Sequence, residues 1–64
     1  MNKNQKIFHQ YLQQNMDQTN QDIERAIIRM RNKWKFAPPE LVHAMRQLSV
    51  AEKNQVICEL VLPF

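Results

Sequence analysis

Five cations, Arg25, Arg29, Arg31, Lys33 and Lys35, stand between residues 25 and 36 with no acid among them, and Trp34 and Phe36 interleave with the last of the run. Lys and Arg neutralise phosphates and an aromatic ring can stack on a base, so this is where a nucleic-acid surface would be built. On a helix, Arg25, Arg29 and Lys33 lie within about 80° of arc and would be the phosphate contacts of such a surface. A plainer use competes with that one. Arg31, Lys33 and Lys35 also complement the negative end of the helix they close, and the remaining cations suit a solvated outer face. Trp34 continues an apolar seam, which places it in the core rather than on a stacking platform. The flanking segments, residues 1 to 24 and 37 to 64, each carry a balance of −1, so the formal net charge of +3 arises wholly in the run.

The remaining reactive side chains are sparse. Glu40 and His43 have the Glu-x-x-His spacing of di-iron bundles, but those sites need further carboxylates from facing helices, and His43 is expected to face solvent. His9 has no neighbouring ligand and reads as a helix-surface residue. Cys58 sits among aliphatics and beside Glu59, without the base or electropositive setting that activates a thiolate, so it reads as a small hydrophobe. Being the single cysteine, it forms no intrachain disulfide. The absence of glycine removes phosphate loops, dinucleotide fingerprints and calcium loops, which need its φ > 0 conformations. No enzyme, metal or cofactor is expected.

The elements that position these residues are helical, since no segment alternates polar and apolar residues between turn signals. Ile7, Phe8, Tyr11 and Leu12 fall within about 140° of arc and predict a first helix over residues 3 to 15. Asn15 to Asn20 suggests a break. A second helix then starts at Thr19 or Asn20 as cap and carries the seam Ile23, Ile27, Met30 and Trp34. The alternative is one unbroken helix over residues 4 to 35; the hairpin is preferred. Ala37-Pro38-Pro39-Glu40 ends this unit, because a residue before proline leaves the α region and Pro39 suits a first helical turn. A third helix, Pro39 to Leu48, presents Leu41, Ala44, Met45 and Leu48. Ser49-Val50-Ala51-Glu52 is a capping box that opens the fourth at a sharp corner. Met16, Met30 and Met45 recur on inner faces as core fillers.

The fourth helix is apolar around most of its circumference, and such a helix is normally buried all round. Three short neighbours cannot enclose it, so Val56, Ile57, Leu60, Val61, Leu62 and Phe64 are expected to form the interface of a homo-oligomer. With 64 residues, 44% hydrophobic and 23% charged, the chain predicts one small all-α domain: a helical hairpin plus two shorter helices, completed by dimerisation. A polar start and no apolar run near 20 residues lead to a soluble, cytoplasmic chain without a membrane segment. The expected function is non-enzymatic protein–protein interaction as a regulatory or accessory factor. Nucleic-acid binding through the basic face of the second helix is the alternative.

Overall fold

The first helix is fixed by its opening residues. Asn2 and Gln5 form a capping box in which the Gln5 N–H donates to Asn2 Oδ1 at 2.8 Å and the Asn2 N–H donates to Gln5 Oε1 at 2.9 Å. Helix α1 then runs Lys3–Asp17 and turns Gln5, Phe8, Leu12 and Met16 inward, a stripe at three- and four-residue spacing. The computed structural model describes residues 1–62, so Phe64 lies outside the described residues.

The chain reverses without glycine. Thr19 Oγ1 donates to the Asn15 carbonyl at 2.8 Å, and the Gln21 N–H donates to the Met16 carbonyl at 2.8 Å, the closing bond of a Schellman-type helix end. Asn20 and Gln21 both take positive φ, 56° and 64°. Asn tolerates that region better than most residues, and Gln21 Nε2 donates to Asp17 Oδ1 at 2.9 Å. The hairpin therefore forms in place of one long helix. Its second cap is a correction: Asp22, not Thr19 or Asn20, accepts from the Arg25 N–H at 3.1 Å, because the Thr19 hydroxyl is engaged backward on α1 and Asn20 is committed to the turn.

Helix α2, Ile23–Asn32, buries Ala26 and Met30, with Ile23 and Ile27 half-buried. The seam is thus rotated toward Ala26, whose methyl side chain allows the closest approach to α1. After Asn32 the backbone tightens into a 3₁₀ turn, Trp34–Phe36. This change of helical pitch carries Trp34 off the seam and leaves it 37% exposed, which corrects its expected place in the core. Ala37 is extended before Pro38, and helix α3, Pro39–Gln47, starts with proline in its first turn. Leu41, Ala44 and Leu48 are buried on its inner side.

Ser49 caps α4, Val50–Val61: the Glu52 N–H donates to Ser49 Oγ at 3.1 Å and the Ser49 N–H to Glu52 Oε1 at 2.9 Å. Helix α4 buries one side only. Val56 and Leu60, one turn apart, enter the chain's own core, Ile57 and Val61 are half-buried, and Val50, Cys58 and Leu62 are exposed. The other three helices leave part of α4 uncovered, as its apolar circumference predicts, but Val56 and Leu60, expected at an interface between copies, fill the chain's own core. The core joins Phe8, Leu12 and Met16 of α1 to Met30, Leu41 and Val56.

Helix α1 packs against α2, α3 and α4, while the backbones of those three scarcely approach one another. The result is an all-α fold of four helices, three of them set around the first. Polar ties brace the α1–α4 contact: buried Gln5 donates from Nε2 to the Glu52 carbonyl at 3.2 Å and to Gln55 Oε1 at 3.0 Å, and Asn2 Nδ2 donates to Glu52 Oε2 at 2.6 Å. Among the described residues no helix is long and apolar enough to cross a membrane.

Two measurements check the corner. Ser49→Ala removes the acceptor for one helix-opening N–H and is expected to lower stability by about 1 kcal/mol in a denaturant titration; no change would show that the corner is held elsewhere. The Ser49 backbone N–H above all, then the Ser49 hydroxyl, hold the Glu52 carboxyl below its ordinary 4.5; burial opposes them, and the Asn2 amide adds a lesser lowering. A carboxyl lowered in the folded state stabilises fully above its unfolded pKa and loses that contribution as pH falls through its folded value. Unfolding midpoints should therefore drop from about pH 4.5 downward, and Glu52→Gln, which keeps the box without titrating, should flatten that part of the profile.

Candidate binding site

Because α2 and α4 do not close on each other, a groove of about 630 Å³ remains between them. Phe8 of α1 and Met30 of α2 lie along its floor side, both largely buried. Ile27 comes from α2, Trp34 from the 3₁₀ turn, Met45 from α3, and Val50 and Ile57 from α4. Val50 is 72% exposed, an aliphatic side chain open to solvent at the first turn of its helix. Arg31 on the α2 bank and Lys53 on the α4 bank supply the charge, with Asn54 beside them and no acid among the lining residues. The volume falls in the range of ordinary ligand sites.

On the other side of Trp34 lies a smaller depression of about 210 Å³, where the end of α2 and the 3₁₀ turn meet α1. Arg29 and Lys33, one helical turn apart, border it on the α2 side, and Tyr11, Gln14 and Gln18 on the α1 side. Phe36 stands at its edge, 77% exposed, with Lys35 Nζ 5.1 Å from the ring centroid. The Tyr11 hydroxyl donates to Glu40 Oε1 at 2.6 Å, and this bond to a carboxylate raises the phenol above its ordinary pKa.

The three residues offered as phosphate contacts are differently engaged. Arg25 lies 3.7 Å from Asp22 in an exposed ion pair. Arg29 is half-buried and its guanidinium donates to Gln18 Oε1 across the hairpin. Lys33 is exposed beside the depression. Of the expected oligomer residues, Val56 and Leu60 are used within the chain, Ile57 lines the groove, Val61 is half-buried and Leu62 is 79% exposed. Apolar surface on α4 is therefore smaller than its sequence pattern implies. His43 and Cys58 are exposed, Glu40 is engaged by Tyr11, and no three His, Cys, Asp or Glu side chains gather as a metal site among the described residues.

Sequence reasoning missed Tyr11, Gln14 and Gln18 as partners of the basic run, because nothing in the sequence sets the rotation of α1 against α2. Phe36 carried a signal: an aromatic residue just before the break at Ala37-Pro38 has no helix left to bury it.

Trp34 is the chain's one tryptophan, so its emission reports both cavities. Half-open and sharing its cavities with Arg29, Arg31, Lys33 and Lys53, it should show a higher iodide-to-caesium quenching ratio than free tryptophan amide, with the excess shrinking as salt rises. A ratio equal to that of the free amide would place Trp34 outside the basic field.

Comparison with known proteins finds no family model, no curated protein and no solved structure that matches this chain.

Proposed function

We propose that this chain is a non-enzymatic interaction protein whose α2–α4 groove receives an amphipathic helix of a partner protein, apolar on the face it inserts and acidic along its flanks. The groove carries the reading: seven of its ten lining residues are apolar, and its two charged residues, Arg31 and Lys53, are both cations on opposite banks. An inserted helix buries its apolar face at i, i+3, i+4 and i+7, and carboxylates on its two sides meet those cations. Met30 and Met45 in the lining suit this role, since unbranched thioether side chains repack around different shapes. A regulatory or accessory role is consistent with such a groove. The homo-oligomer expected from the sequence is a competing occupant: a second copy brings a further net charge of +3 to banks that are already positive.

The test uses designed peptides of about four helical turns, with leucine at the helix-in-groove spacing and either glutamate or lysine at the flanking positions. Binding is followed by Trp34 emission and by anisotropy of a dye on the peptide. The glutamate peptide should bind at least about tenfold more tightly than the lysine peptide at low salt, a difference of about 1.4 kcal/mol. Arg31→Glu with Lys53→Glu should reverse that order. Val50→Asp, exposed and so harmless to folding, should weaken both. Absence of binding by either peptide would falsify the groove reading. Equal binding would keep the groove and remove the acidic partner, and a doubled mass in light scattering would make the second copy the occupant.

A further inference from the structure

We infer a second binding site, for single-stranded nucleic acid, in the depression formed by the Trp34–Phe36 turn, Arg29, Lys33 and Tyr11. It is independent of the α2–α4 groove and rests on different side chains, Met30 and Trp34 excepted. Three observations carry it. First, the 3₁₀ turn leaves two aromatic rings open to solvent, Trp34 at 37% and Phe36 at 77%. A base stacks on such a ring whatever its identity, because every base has a π face. The expected obstacle to nucleic-acid binding, that these rings belong to the core, is therefore absent.

Second, the cations lie beside the rings. Arg29 and Lys33 border the depression, and Lys35 sits over Phe36. Among the described residues no acid lines the depression; nearby, Asp22 pairs with Arg25, Asp17 accepts from Gln21, and Glu40 accepts from Tyr11, itself a lining residue. Glu40, bonded to the lining Tyr11, is outnumbered there by the lining Arg29 and Lys33 and by Lys35 over Phe36. Third, the space of about 210 Å³ is below that of ordinary drug-sized sites, which fits one flat base. Gln14 and Gln18 add amide groups that can donate to and accept from a base edge.

The same geometry selects single strands over duplex. With Arg25 paired to Asp22 and Arg29 turned toward Gln18, α2 lacks an even outward row of cations for a double helix. The exposed rings can only be used by bases that are not already stacked in pairs.

The experiment titrates the native protein with a dye-labelled oligothymidylate of about a dozen nucleotides, within the span one small domain covers. Anisotropy and Trp34 emission are read together. The expected result is binding accompanied by quenching of Trp34, with log K falling against log salt by about 0.7 for each phosphate contact. Phe36→Ala should weaken binding about tenfold, as loss of one stacked base does. Lys33→Gln should flatten the salt slope by about 0.7. Arg46→Gln, which removes a charge from exposed α3 surface away from the depression, should alter neither. Phe36 is exposed, so its replacement leaves the fold intact, as circular dichroism will show. The proposal is overturned by absence of binding near physiological salt, by binding without Trp34 quenching, by duplex of the same length binding equally well, or by polyglutamate displacing the oligonucleotide as effectively as unlabelled strand, which would reduce the site to a general anion surface.

Discussion

Everything in this small fold leans on one stripe of α1. Phe8, Leu12 and Met16 are the common floor against which α2, α3 and α4 each bury a face, and those three helices have little to do with one another. A chain of this size hides a modest share of its surface, and the arrangement spends that burial radially around a central helix. The gaps between outer helices are its geometric counterpart. Where α2 and α4 diverge, the flanks of the core lie open as an apolar groove; where α2 ends against α1, a smaller depression is left. The cavities are thus products of the packing scheme, with Met30 and Trp34 contributing to both.

Hydrogen bonding completes what the apolar stripe begins. Gln5 is the buried polar residue of the described core, and a side-chain amide removed from water without partners destabilises by about 1–3 kcal/mol. Its three bonds, to Asn2, the Glu52 carbonyl and Gln55, satisfy it while joining two helix starts that are far apart in sequence. The caps of α1 and α4 are consequently one structure. Asn2 reaches Glu52, Glu52 reaches Ser49, and the orientation of α4 on α1 is set by directional contacts as well as by the packing of Val56 and Leu60.

What could be read from the sequence was what short-range chemistry decides. The proline pair fixes the break before α3, and the Ser49–Glu52 spacing fixes the start of α4, because both effects act within four residues. The hairpin was legible from the polar stretch after Asn15, though its cap was not: Thr19, Asn20 and Asp22 are all competent, and the choice depends on which hydroxyl or carboxylate the turn leaves free. Helix rotation was the main loss. Ile23 and Ile27 outrank Ala26 in hydrophobicity, yet close approach to α1 favours the small side chain, and this tertiary preference leaves no mark on periodicity. For the candidate sites, the cations and aromatics were visible as a run, but their assembly was not. A switch from α to 3₁₀ pitch at Trp34 moves the rings from core to surface, and the Gln18 contact of Arg29 crosses the hairpin. On α4 the sequence pattern could not tell Val56 and Leu60, which face the chain's own core, from the apolar residues left outside it, since burial is decided by what stands opposite a residue as well as by its own type.

The glycine-free reversal at Asn20 and Gln21 has a consequence in the unfolded chain. Holding a residue with a Cβ in left-handed backbone costs about 1–2 kcal/mol, which glycine would avoid. Glycine also enlarges the denatured ensemble, and that added conformational entropy takes back roughly 0.4–1 kcal/mol at each position. A sequence with no glycine anywhere is stiffer before it folds and has fewer disordered states to lose. The strain at this turn is therefore partly returned as a smaller entropic penalty on folding.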